Sequence, residues 1–262
     1  MAKVKIVHLG EVVGRSGRKA LRTYLNQLKE DFDFLLLNAE NAAGGFGLTP
    51  NVAEELFSLG INCLTLGNHA WSKKEGIKVI EEDPRILRPA NYPPGVAGRG
   101  AGIFRTKKGY KVGVINLMGR IFMEPIDSPF SVGERIVEEL RKETPIIIVD
   151  FHAEATSEKG ALGVFLDGKV SAVIGTHTHI PTADERILPG GTAFITDIGM
   201  TGPIDSIIGV KKEQVLQRFL QATPTKFEVA EGPAAVCSLF IEVDAESGKA
   251  VNIKREMVTI SL

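Results

Sequence analysis

The chain has 262 residues, 44% of them hydrophobic and 24% charged, so it can bury a substantial core without disulfide or metal staples. Lys plus Arg is 31 and Asp plus Glu is 32, leaving a net charge of −1. That balance argues against a coat for long nucleic acid, but not against a pocket for one or two phosphates. Two cysteines, Cys63 and Cys237, do not make a disulfide framework, and no run approaches the ~20 apolar residues of a membrane span. The first residues lack the apolar core of a signal peptide, so a cytoplasmic protein is expected.

Residues 4–9 form a short apolar run and read as a first strand. Ser16 precedes a helix over 18–30, with Leu21, Tyr24, Leu25 and Leu28 at helical spacing. Residues 32–37 read as a strand. Thr49-Pro50 starts a helix that Gly60 ends. Residues 62–66 are a strand, and Ser72-Lys-Lys-Glu75 has the form of a capping box opening a helix to about residue 82. Residues 102–106 and 110–117 flank Lys107-Lys108-Gly109 as a hairpin. Ser131-Val-Gly-Glu134 is a second capping box, before a helix ending near residue 143. Strands follow at 146–150, 171–174 and 192–196, then a helix at 212–221 and tail strands at 226–229, 234–243 and 251–260. With neither repeat nor linker, the pattern predicts one α/β domain spanning 1–262, with a mixed sheet or two stacked sheets.

Polar residues follow the buried strands. Glu11 comes after the first, Asn38-Ala-Glu40-Asn41 after the second, and Asn68-His69 after the third. His152 follows the strand at 146–150, and His177-Thr-His179 the one at 171–174. Ligands of open α/β sheets gather at the carboxyl ends of strands, so these residues aim at one rim. His177 and His179, two apart, would point to one side in extended backbone. Glu11, Glu40, Asn41, Asn68, His152, His177 and His179 are too many ligands for one ion. They suit two ions ~3.5–4 Å apart that share a carboxylate, the geometry of in-line phosphoryl displacement. Carboxylate, amide and imidazole donors favour Fe, Mn or Zn over Mg or Ca.

Other residues have plainer readings. His8, inside the first strand, is expected to be structural, and Asn38 to support its turn. Asp150 and Asp197 are either hydrogen-bond partners of the ligands or ordinary strand-end residues. Gly10-x-x-x-Gly14-x-x-Gly17 lacks the Gly-x-Gly-x-x-Gly spacing of a dinucleotide fold, and that fold would leave the histidines unexplained. The loop at 118–130 carries Arg120, Phe122 and Phe130 and reads as a plain connection, with a pocket lining that holds a base or phosphate as the alternative.

Five collinear blocks carry a resemblance: Gly10-Glu-Val-Val-Gly14, Asn38-Ala-Glu-Asn-Ala-Ala-Gly-Gly45, Gly67-Asn-His69, Val149-Asp-Phe-His-Ala-Glu-Ala-Thr-Ser-Glu158 and Gly175-Thr-His-Thr-His179. Together they resemble the YmdB-like branch of the calcineurin-like metallophosphoesterases. The resemblance implies a four-layer α/β/β/α sandwich of two mixed sheets and a dinuclear centre, with Fe expected, Mn the alternative and Zn less favoured. It implies that Glu40 bridges the ions. Glu11, Asn41 and His179 would complete one, and Asn68, His152 and His177 the other. His69 would be the catalytic proton donor. Metal-bound hydroxide would then attack a small phosphodiester, a 2′,3′- or 3′,5′-cyclic nucleotide, in a homo-oligomer; RNA ends are a further candidate partner. One position departs: the branch pattern has Asp where this chain has Glu11, one methylene longer with the same charge. A phosphomonoesterase, or a nucleotide- or RNA-binding protein with a weakened site, are the alternatives.

Overall fold

The computed structural model describes residues 2–261, so residues 1 and 262 of the expected 1–262 domain lie outside it. The first half of the chain forms β1 (Lys3–Leu9), β2 (Glu11–Val12), α1 (Gly14–Gln27), β3 (Phe34–Asn38), α2 (Pro50–Ser58), β4 (Cys63–Thr65), α3 (Lys74–Glu82), β5 (Ile86–Leu87), β6 (Ala101–Arg105) and β7 (Lys111–Met118). The second half forms α4 (Pro129–Leu140), β8 (Ile147–His152), α5 (Thr156–Phe165), β9 (Ala172–Thr176), β10 (Arg186–Ile187), β11 (Ala193–Ile195), β12 (Met200–Pro203), α6 (Lys212–Gln221), β13 (Ala234–Asp244) and β14 (Ala250–Ile260).

The strands make two mixed sheets. One has eight strands in the order β2-β12-β13-β1-β3-β4-β5, with β14 beside β13; the other has six, β10-β11-β9-β8-β7-β6. Alternation along the strands assigns each face. Val4, Ile6, Phe34, Leu36 and Cys63 of the first sheet meet Val112, Val114, Ile146, Ile148 and Ile174 of the second in a core between the sheets. The opposite faces turn outward. Val7, Leu9, Leu35 and Leu37 pack with Leu21, Leu56 and Ile80 of α1, α2 and α3. Ile147, Val149 and Phe151 pack with Val137 and Leu162 of α4 and α5. The layers are therefore α/β/β/α, as the family resemblance implied.

Within each sheet the strands that matter run in parallel. β1, β3 and β4 align in one, and β7, β8 and β9 in the other. Their carboxyl ends carry Asn38, Met118, His152 and Thr176.

Several local expectations need correction. α1 starts at Gly14 rather than after Ser16, whose hydroxyl donates to Ala230 O. Ser72 does not cap α3: Lys73 holds the N-cap, and Ser72 Oγ lies 3.3 Å from His69 Nδ1. Ser131 is already inside α4, because Pro129, with φ preset for helix, starts it earlier. The second strand begins at Phe34, not 32, and the one at 146–150 runs on to His152, making that residue part of the strand. Of residues 226–229, Phe227, Glu228 and Val229 line a cavity, and among the described residues their only bridge is between Val210 and Val229. α5 escaped the periodicity reading because Gly160 and Gly163 interrupt it; Gly163 lets the helix lie against the Phe194 ring. Thr49 caps α2 as read, accepting from Val52 N. Both cysteines are buried and free.

Candidate metal centre

The rim where the two sheets meet gathers Glu11, Glu40, Asn41, Asn68, His69, His152, His177 and His179. Glu11 sits in β2, where pairing with Met200 of β12 fixes its direction. Glu40 and Asn41 lie on the turn after β3, which Asn38 holds by accepting from Glu40 N at 3.2 Å. Asn68 and His69 follow β4, His152 ends β8, and His177 and His179 follow β9. Glu11, Glu40, Asn41 and His152 are buried.

The polar atoms form two groups. In the first, Glu11 Oε2 lies 2.8 Å from His179 Nε2 and 3.1 Å from Asn41 Nδ2, and Asn41 Nδ2 is 3.0 Å from His179 Nε2. In the second, His152 Nε2 lies 2.9 Å from Asn68 Oδ1 and 3.0 Å from His177 Nδ1. Glu40 Oε1 touches both, 3.1 Å from His152 Nε2 and 3.5 Å from Asn41 Nδ2. Glu40, His152 and His177 each offer a ligand atom, all within 4.8 Å of one another.

The donor set fits cations. One ring nitrogen carries at most one hydrogen, yet His152 Nε2 faces a carboxylate, an amide oxygen and a second imidazole nitrogen. A cation at their meeting point satisfies all of them. The space is also kept open: a methyl group on Gly67 would strike Glu40 Oε2 and the His152 ring. Neighbouring groups prepare the histidines. Thr176 Oγ1 gives its hydrogen to Asp150 Oδ1 at 2.7 Å, so it accepts from His152 Nδ1 at 3.1 Å. That fixes the tautomer whose Nε2 lone pair points into the site. Asp150 is therefore a hydrogen-bond partner of the ligand shell; Asn38 Nδ2 and Thr65 Oγ1 also donate to it.

The loop after β9 differs from the extended His-x-His that was expected. His177 and His179 have φ of 98° and 67°, in the left-handed region, and they face different groups of the site. Such backbone costs ~1–3 kcal/mol per residue and must be held by its surroundings. Asp197 does the holding. Its Oδ2 accepts from Thr178 N at 3.1 Å and Thr178 Oγ1 at 2.7 Å, and it pairs with buried Lys159 Nζ at 2.7 Å. Sequence reasoning missed the roles of Lys159, which lies outside the quoted blocks, and of Thr178, which lies inside one but is not a metal-ligand type. Glu154, 3.1 Å from His177 Nε2, lies inside a quoted block and was not singled out.

Charge sets the proton affinities. Burial would lower His152, but Glu40 and Glu11 outweigh it and push it up to about 9; His179 is pushed up to about 9 by Glu11 in the same way. Burial would raise Glu11, yet the facing histidines hold it well below the usual carboxylate range. Burial takes His177 down to about 4, helped by His152. Away from the rim, burial takes His8 down to about 3, so it is neutral between the sheets, as its structural reading requires. Two carboxylates that draw protons onto neighbouring imidazoles form a field that cations would take over.

His69 stands at the edge of the second group. Its Nε2 is 3.4 Å from Asn68 Nδ2, Ser72 Oγ meets Nδ1, and Phe46 packs edge-on against the ring at 5.0 Å. A cavity of about 830 Å³ opens beside it.

A sequence profile of the YmdB-like protein family matches residues 7–256. The chain belongs to the YmdB-like family. A relative from Bacillus subtilis (strain 168), a 2′,3′-cyclic-nucleotide 2′-phosphodiesterase, is 46% identical over 257 residues, covering 97% of each chain. The crystal structure of a novel phosphatase from Mycoplasma pneumoniae superposes with a TM-score of 0.93 at 36% identity, covering 100% of this chain and 95% of that one. The calcineurin-like phosphoesterase YfkN from Bacillus subtilis shares the fold, with a TM-score of 0.58 at 11% identity over 97% of this chain and 90% of that one. Family and fold make this YmdB-like chain a hydrolase of the phosphoesterase type, and Glu40, His152 and His177 are placed so that they could hold a metal ion.

Proposed function

We propose that this hydrolase cuts small nucleotide phosphodiesters, 2′,3′-cyclic nucleotides first and 3′,5′-cyclic nucleotides second, with the help of two metal ions. The observation that carries the reading is the pair of ligand groups with Glu40 touching both. Glu11, Asn41 and His179 would hold one ion, Asn68, His152 and His177 the other, and Glu40 would bridge them. The mixed oxygen and nitrogen donors favour Fe, with Mn as alternative. When bound, such ions supply a nucleophile near neutral pH and neutralise charge gathering on phosphorus.

The protein's own groups do the rest. His69 Nε2 would give a proton to the oxygen that leaves phosphorus, its ring in contact with Ser72 Oγ and Phe46. The B. subtilis relative supports the diester reading through its name. We read the protein as cytoplasmic and homo-oligomeric; among the described residues no helix is long and apolar enough to cross a membrane. RNA ends carrying a cyclic phosphate are a further substrate class under this reading.

The test is hydrolysis of bis(p-nitrophenyl) phosphate by protein reloaded with Mn or Fe, beside a chelated control. Metal-dependent turnover is expected. Folded, metal-loaded protein without turnover would sink the diesterase reading. It would leave the monoesterase, or a nucleotide-binding protein weakened at Glu11.

A further inference from the structure

Two cavities flank the metal centre. One of about 360 Å³ is lined by Asn68, Phe122, Met123, Glu124 and His177. The other, of about 830 Å³, reaches Glu40, Asn41, His69, His177 and His179 and continues between Phe46, Val215, Phe219, Phe227 and Val229. Its volume lies within the ~300–1,000 Å³ of small-molecule sites, and its far wall is apolar and aromatic. Phe219 is 80% exposed on that wall, with Arg218 beside it. Phe219 is thus available for a ligand to cover; Phe122, 90% exposed beside the smaller cavity, is equally bare, so it is His69 that separates the two.

We infer that the larger cavity is a nucleobase subsite, with Phe219 and Phe227 as its stacking surfaces. The inference rests on the phosphodiesterase reading and adds which side of the centre takes the nucleoside. In a nucleotide diester cut at the sugar oxygen, the leaving oxygen belongs to the sugar that bears the base. The group that protonates it must face that sugar, and His69 lines the larger cavity but not the smaller. The base therefore extends away from His69, past Phe46, to the aromatic wall. A ribose phosphate alone would leave most of that apolar wall in contact with water. Bases of every kind stack on aromatic rings, so the subsite selects for a base without choosing one sequence.

The experiment compares adenosine 2′,3′-cyclic phosphate with 1-O-methylribose 2,3-cyclic phosphate, which has no base, in wild type, Phe219→Ala and Phe227→Ala. The ratio of kcat/KM between the two substrates is expected to fall ~10-fold or more in each variant, through KM for the adenosine substrate, since a base stack is worth ~1–3 kcal/mol. A second readout needs no turnover: calorimetric binding of adenosine 3′-monophosphate against ribose 5-phosphate. Wild type should prefer the nucleotide, and the variants should lose that preference. An unchanged ratio and unchanged preference in both variants, shown folded by circular dichroism, would overturn the subsite. If wild type turns over neither cyclic phosphate yet binds the nucleotide through Phe219, the phosphodiesterase reading fails and the subsite stands.

Discussion

At the scale of single residues the site is a set of compensations. Glu11 illustrates it: its longer side chain reaches His177 N with Oε1 while Oε2 still faces Asn41 and His179. The extra methylene is thus anchored rather than loose. His69 sits at the edge of the second ligand group and holds Glu40 Oε2 through its backbone N–H at 3.0 Å, a contact that a side-chain substitution leaves in place, so its roles can be separated. His69→Ala should cut diester turnover ~10²–10⁴-fold while metal content, read by elemental analysis, stays that of wild type. Loss of bound metal in that variant would make His69 a ligand. The pH dependence of the chelated protein follows from the histidines. His152 and His179, held up at about 9, stabilise the fold fully below the ordinary 6.5, and that stabilisation is lost as pH rises through 9. His177 and His8, pushed down to about 4 and about 3, must stay neutral, so stability is lost as pH falls below 6.5. The Tm of chelated protein should therefore peak near pH 6.5. Metal-loaded protein should hold its Tm on the alkaline side, because ions rather than protons then face the carboxylates. Identical alkaline falls with and without metal would refute this.

At the scale of elements, the loop after β9 is the part under most strain, and α5 is what steadies it. Lys159 reaches from α5 to Asp197, which grips Thr178 between two histidines in left-handed backbone. Removing one partner of a buried pair leaves a stranded charge and costs about 3–5 kcal/mol. Lys159→Met should lower stability by that order in urea unfolding, and weaken metal affinity ~10–100-fold by freeing the loop. Adding Asp197→Asn should recover part of the stability, since the stranded charge is gone. Unchanged metal affinity in a folded Lys159→Met protein would show that the pair serves the fold alone.

At the scale of the molecule, the core between the sheets joins both halves of the chain, and the site lies where their strand ends meet. Neither sheet can bury its inner face without the other. On the single-domain reading, calorimetry of metal-loaded protein should show one transition with calorimetric and van't Hoff enthalpies in agreement. Chelation should shift that transition down in temperature as a whole, since a ligand bound only to the folded state stabilises it by mass action. Two transitions, only one of them sensitive to chelator, would mean that the sheets unfold separately.

The sequence by itself determined the α/β class, most of the strand-and-helix order of the first two thirds, though not α5 or the short β2 and β5, and which polar residues follow the strands; the two sheets were implied by the resemblance alone. The reason is local: a short apolar run followed at once by Glu, Asn or His places that residue at a strand end whatever the rest of the chain does. Ser72 and Ser131 show where local reading stops. Each had the spacing of a cap, but one turned to His69 and the other was overtaken by Pro129. Only the tertiary structure decided that His177 and His179 sit in left-handed rather than extended backbone, that Asp150 acts on His152 through Thr176, and that Lys159 reaches Asp197. These are contacts between residues on different elements, fixed by how two twisted sheets pack rather than by any periodicity along the chain. The aromatic cavity belongs with them, since Phe46, Phe219 and Phe227 share no motif and meet only because the chain returns across the rim.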